Sequence, residues 1–146
     1  MSLIIALGWL VLLAGIPARA GDSPSQQWAA EWSARNLDTV MALYAPKPVF
    51  LPTIGPRWVG AAAIRANFAG LLKIYNPHIA LHSLETGASG ALSYDSGTYE
   101  ETITPVKGGK PIPARGAYLF LFQRQTGGAW KILEQGWSTF DQPPRL

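Results

Sequence analysis

Few side chains in this 146-residue sequence could carry chemistry. Glu100 and Glu101 are adjacent in a stretch that alternates like a strand, so they face opposite sides. One of them points inward or toward a partner subunit. A carboxyl held in apolar surroundings keeps its proton to higher pH and can serve as an acid or base. With Lys and Arg available, a salt bridge is the expected use of this residue. Arg115 opens the aromatic run Arg115-Gly116-Ala117-Tyr118 and could grip a carboxylate or enolate with two parallel hydrogen bonds. Its plainer reading is a strand-end arginine lying on an exposed ring. His78 and His82 are four apart on a strand, which separates them by about 13 Å at 3.3 Å per residue. That is too far to share a metal ion, so no metal site is expected. Asp38 reads as a helix cap and Asp95 as a solvated turn residue. No Gly-x-Ser-x-Gly elbow, phosphate-binding loop or dinucleotide fingerprint occurs, so no cofactor is expected.

The totals narrow the classes further. Hydrophobic residues make up 48% of the chain and charged residues 14%, which suits one domain with a sizeable core rather than a disordered or coiled-coil chain. The net charge is +3, but the basic residues are scattered, so no nucleic-acid partner is expected. There are no cysteines, which removes thiolate nucleophiles, disulfides and cysteine zinc sites.

Residues 1–20 read as a secretory leader. Leu3 to Ile16 is an apolar run, short for a membrane span of about 20 residues. Ala18-Arg19-Ala20 then offers a small-residue cleavage pattern. The expected product is a domain over 21–146, secreted or periplasmic, with no membrane contact after cleavage. A cysteine-free product suits an oxidising compartment.

These candidates must be positioned by the remaining elements. Ser23-Pro24 can open a helix with Trp28 and Trp32 on one face. A second short helix is expected over Thr39 to Tyr44, ended by Pro46 and Pro48. Val49 to Leu51 reads as a short strand. Gly60 begins a third helix whose buried stripe is Ile64, Phe68, Leu71 and Leu72, with Asn76-Pro77 as its stop. From there the period changes from 3.6 to 2. Strands are expected from Ile79, over Tyr94 to Thr104, over Ala114 to Gln125 and over Trp130 to Phe140. Glycine turns at Gly108-Gly109 and Gly127-Gly128 separate the last three. Helices followed by antiparallel strands imply an α+β fold.

Four segments in this order resemble the SnoaL-like and ketosteroid-isomerase-like domains, relatives of nuclear transport factor 2. Trp32 to Asp38 followed by Leu43-Tyr44-Ala45 resembles the helix-break-helix opening of that superfamily. Val59 to Ile64 resembles the glycine entry to its third helix. Ala91 to Tyr99 resembles a strand of many members. Gly127 to Ile132 followed by Gly136-Trp137-Ser138 resembles its final hairpin. The resemblance covers most of residues 26 to 140. It implies a cone-shaped curved antiparallel sheet wrapped around three N-terminal helices, the cystatin-like arrangement, with a pocket between sheet and helices. It also implies a homodimer paired through the outer sheet face.

Reactions vary across such domains, so the fold names none. In isomerases of the superfamily the base stands just before a proline after the short first strand. Here that position is Leu51. The acidic hydrogen-bond donor belongs on the strand Ala117 to Phe122, which holds no acid. The isomerase chemistry is therefore not expected. The expected role is to bind, or to act as an enzyme on, a small apolar or aromatic molecule. The pocket walls would be Tyr44, Phe50, Trp58, Tyr99 and Trp137, with Glu101, Arg115 and Gln135 supplying polarity. Trp137 stands where relatives place pocket tryptophans, and alternation puts Leu133 and Gln135 on its face. The rival reading is a non-catalytic dimerisation or interaction module whose aromatics fill its own core.

Overall fold

Ser23 and Pro24 start the first helix as their chemistry predicts. The Ser23 hydroxyl accepts from the Gln26 N–H at 3.3 Å, and Pro24 fills the first turn. A computed structural model describes residues 23–141, and the leader expected over residues 1–20 lies outside them. Helix α1 (Pro24–Ser33) buries Ser25, Trp28, Ala29 and Trp32. It ends at Arg35, which takes a left-handed φ of 62°. The Arg35 guanidinium donates to the carbonyls of Leu72 at 2.6 Å and Tyr75 at 2.7 Å, fastening the end of α1 to the segment 72–75.

Helix α2 spans Leu37–Ala42, two residues ahead of the expected start. Asn36 takes the cap position, so Asp38 is not the cap. Asp38 instead pairs with Arg65 of the next helix. Tyr44 opens strand β1 (Tyr44–Leu51) rather than closing α2. Pro46 and Pro48 are tolerated in that strand because its pairing slips between Tyr44 and Val49, so no ladder N–H is required of them. A short strand, β2 (Trp58–Val59), covers the outer edge of β1. Gly60, at φ 89°, turns the chain into α3 (Ala61–Ile74), which buries Ile64, Phe68 and Leu72. Leu71 of the predicted stripe is instead partly exposed.

Four long strands complete the sheet: β3 (Tyr75–Ser89), β4 (Leu92–Pro105), β5 (Ile112–Arg124) and β6 (Trp130–Thr139). Asn76-Pro77 falls inside β3, an edge strand, where a proline costs no central ladder bond. The sheet order is β2-β1-β6-β5-β4-β3, and every pair is antiparallel except β1–β6, which is parallel. The sheet is curved and unclosed, and α1 and α3 pack within its concave side. Pairing irregularities fall between Ser83 and Glu85 on β3 and between Leu121 and Phe122 on β5. Where strands crowd, glycine is required. A Cβ on Gly97 would lie 2.0 Å from the His82 carbonyl, and one on Gly116 would lie 1.8 Å from that of Ser138.

Candidate functional site

Between α1, α3 and the concave sheet lies a cavity of about 490 Å³. Helix α1 sends Trp28 and Trp32 to its wall, and α3 sends Phe68 and Leu71. The β1–β2 end supplies Phe50 and Trp58, stacked 4.6 Å apart and nearly parallel. Strand β3 adds Tyr75, Pro77 and Ile79, and β4 adds Tyr99, Glu101 and Ile103 by strict alternation. Trp137 of β6 meets Tyr99 edge-to-face at 5.0 Å and Trp28 at 5.4 Å. Thr139 and Asp141 follow Trp137 toward the mouth.

The alternation of β4 decides the fate of its two glutamates. Glu100 points outward, where it lies 3.8 Å from His82. Glu101 points inward. Its cross-strand neighbours are Ile79 and Ala114, and its one hydrogen bond comes from Trp32 Nε1 at 3.3 Å. The salt bridge expected of it is absent among the described residues, because both flanking strands place apolar side chains beside it. Burial pushes the Glu101 carboxyl above the usual carboxylate range, and the Trp32 bond offsets part of that. The neighbouring Tyr99 hydroxyl is also pushed up, first by burial and then by the charges of Glu101 and Asp141.

Five of the eight residues nominated from the sequence line this cavity: Phe50, Trp58, Tyr99, Glu101 and Trp137. Tyr44 and Gln135 lie behind it in the core. Trp28 Nε1 donates to the Tyr44 hydroxyl at 3.0 Å, and that hydroxyl donates to Gln135 Oε1. Burial drives the Tyr44 hydroxyl well above its ordinary range, although the Trp28 bond opposes this. Arg115 is outside. Its side chain is 68% exposed, and its Nε stands 3.7 Å from Asp141 at the rim. Arg115 pairs across the strands with the outward Glu100, so alternation along β5 turns it to the outer face. Leu133 does not share the Trp137 face. The irregularity in the β5–β6 pairing puts Ile132 in the core instead.

Two donors in this region have no acceptor: Gln135 Nε2 and Trp137 Nε1 are both buried without a hydrogen-bond partner. Sequence reasoning missed the contributions of Trp28, Trp32 and Asp141 to the wall. The four-residue spacing of the two tryptophans on a helix facing the sheet was the available signal.

At the other end of the sheet a second carboxylate is buried. Asp95 is only 4% exposed, contrary to the solvated position expected of it. The hydroxyls of Ser25 on α1 and Ser83 on β3 donate to it, and Tyr118 on β5 donates from 3.3 Å. Burial, then the Asp95 charge, push the Tyr118 hydroxyl up to about 12. This cluster does not reach the aromatic cavity. It pins the start of α1 to three strands.

A family model described as SnoaL-like domain matches residues 25–132. No curated protein matches the sequence. Among solved structures the chain is similar to a ketosteroid isomerase-like protein from Erwinia carotovora atroseptica. That match has a TM-score of 0.75 and 18% identity, over 82% of this chain and 92% of the other. It is also similar to a nuclear transport factor 2-like superfamily protein from Salmonella enterica, with a TM-score of 0.73 and 14% identity over 82% of this chain and 87% of the other. A third likeness is to a protein with a cystatin-like fold from Caulobacter vibrioides, at a TM-score of 0.69 and 14% identity over 80% of this chain and 84% of the other. At such identities these structures speak to the fold alone.

Proposed function

This chain belongs to the SnoaL-like domain family, and from that premise we propose that it is an exported domain that binds a small, flat, mostly apolar molecule in its aromatic cavity. The observation that carries the reading is the cavity of about 490 Å³, large enough for such a guest and walled by Trp32, Phe50, Trp58, Tyr99 and Trp137. A domain that used its aromatics only as filler would have closed this space.

Isomerase chemistry of the ketosteroid type is not proposed. Its base position is Leu51, whose side chain is partly exposed, and the residues that β5 turns inward are Tyr118, Phe120 and Phe122. Neither place offers a carboxyl.

Native mass spectrometry of the protein from the exported fraction, washed gently, tests the reading. The expected species is a dimer of chains beginning near Gly21 that carries a non-covalent small-molecule adduct. Retention of residues 1–20 in the purified protein would remove the export claim. Failure of every apolar aromatic probe to perturb tryptophan emission would remove the binding claim.

A second reading, a non-catalytic dimerisation module, draws on the outer sheet face. Leu119 sits in mid-β5 with Ser96 and Gly136 as neighbours, yet it is 49% exposed. A strictly monomeric protein in solution scattering would count against this reading.

A further inference from the structure

The cavity is aromatic, but its ionisable groups are of one sign. Among the described residues, those on its lining are Glu101, Asp141, Tyr75 and Tyr99, and no Lys, Arg or His joins them. Asp141 has Arg115 beside it at the exposed rim. Glu101 lies deeper, between Ile79 and Ala114, and is held only by the neutral indole of Trp32. A half-buried carboxylate with no cation nearby is costly to keep charged, and a positive partner relieves that cost. No side chain provides one. The surrounding rings would accept one, because the faces of tryptophan, tyrosine and phenylalanine attract cations.

Resting on the small-molecule reading above, we propose that the cavity selects an organic cation: an ammonium group carried on an apolar body. The ammonium sits against Glu101, with the faces of Trp32, Tyr99 and Trp137 around it. The apolar body lies toward Phe50 and Trp58. An anionic guest is disfavoured by Glu101 and Asp141, and a neutral guest leaves the Glu101 charge unmatched.

The groups facing Glu101 determine how this selection depends on pH. They are Trp32 from α1, Tyr75 from β3, Tyr99 from β4 and Asp141 beyond β6, with Arg115 of β5 held at the rim by Asp141. Arg35 is committed to the carbonyls of Leu72 and Tyr75. The Glu101 carboxyl, raised above the usual carboxylate range by burial, is the inner-wall group that gains charge as pH rises. Affinity for a permanent cation therefore rises with pH until Glu101 is ionised, then levels.

Three aromatic probes of similar shape test this on the mature chain, with tryptophan emission and calorimetry as readouts. They are benzyltrimethylammonium, its neutral carbon isostere neopentylbenzene, and a phenylalkanoate. The expected result is a preference for the ammonium over the isostere of more than about tenfold at neutral pH, about tenfold being what a desolvated cation gains from aromatic faces alone. That preference should shrink on acidification and in Glu101→Gln toward what the rings alone give, while the isostere binds both proteins alike. Equal or tighter binding of the isostere or the anion would overturn the cation proposal and leave the small-molecule reading standing. So would a preference unchanged by pH. Binding of none of the three would overturn both. The pH series on the unaltered protein decides the matter even if the variant folds poorly.

Discussion

Trp32 Nε1 donates to Glu101 Oε1 across 3.3 Å, joining helix α1 to the middle of β4 at the cavity wall. This bond is the only polar compensation the carboxylate receives from the described residues, and it is a neutral one. The folded protein therefore holds Glu101 at a higher pKa than the unfolded chain does. A raised folded-state pKa contributes stability that is complete below the unfolded value and disappears as pH rises through the folded value. The ligand-free protein should lose stability from Glu101 as pH rises across that interval. Thermal unfolding of wild type and Glu101→Gln from pH 4 to pH 8 checks this. The variant should gain on wild type with rising pH and exceed it at neutrality. Parallel curves would show that the charge is solvated after all.

Asp95 predicts the opposite outcome. Its carboxylate takes three hydroxyl donors from three elements, Ser25, Ser83 and Tyr118. Asp95→Ala strands those hydroxyls in a buried position and should cost about 2–4 kcal/mol, the range for losing several bonds to a charged acceptor. Denaturant unfolding measures this. The milder Asp95→Asn should also lower the Tyr118 ionisation from about 12, because the nearby negative charge contributes to that value. Ultraviolet titration of tyrosinate at alkaline pH reads that shift.

The contrast between these two acids shows what the sequence can disclose. Glu101 is legible as the inward member of an adjacent pair, since alternation along β4 needs only local information. Asp95 is not, because two of its partners arrive from Ser25, 70 residues away, and Tyr118, 23 residues away. The tryptophan pair of α1, the Gly60 entry to α3 and the strands with their glycine turns were legible by the same local logic. The strand start at Tyr44 was hidden because Pro46 and Pro48 read as breakers, and only the slipped β1–β6 pairing excuses them. The choice of Ile132 over Leu133 for the core was hidden for a similar reason. A pairing irregularity against β5 resets the alternation, and no residue type in β6 announces it.

Phe68 is the ring on which the core and the cavity meet. It is buried and lies within 4.9 to 6.3 Å of Trp28, Trp32, Tyr44, Phe50 and Trp58, ring centre to ring centre. Phe68→Ala should destabilise the fold by about 3–5 kcal/mol, the usual cost of emptying a buried phenylalanine site. Because Phe68 also lines the cavity, the same variant should accept bulkier aromatic probes. Chemical denaturation and probe-size titrations measure the two effects separately. A loss below about 1 kcal/mol would mean that the neighbouring rings collapse into the space.

Gly116 gives the sharpest steric prediction. It pairs with Tyr99 on one side and Thr139 on the other, where the sheet passes the cavity wall. An added Cβ would stand 1.8 Å from the Ser138 carbonyl oxygen and 2.9 Å from Tyr99 Cε1. The first contact is with backbone, so it cannot be relieved by a rotamer change. Gly116→Ala should therefore force β5 and β6 apart at this point and cost at least about 1–3 kcal/mol, the range for overpacking. The displaced Tyr99 ring should also disturb its edge-to-face contact with Trp137. The expected observations are a lowered unfolding midpoint together with a changed near-ultraviolet circular dichroism signal from the Tyr99–Trp137 pair. A variant as stable as wild type with an unchanged aromatic signal would show that the two strands can separate freely there.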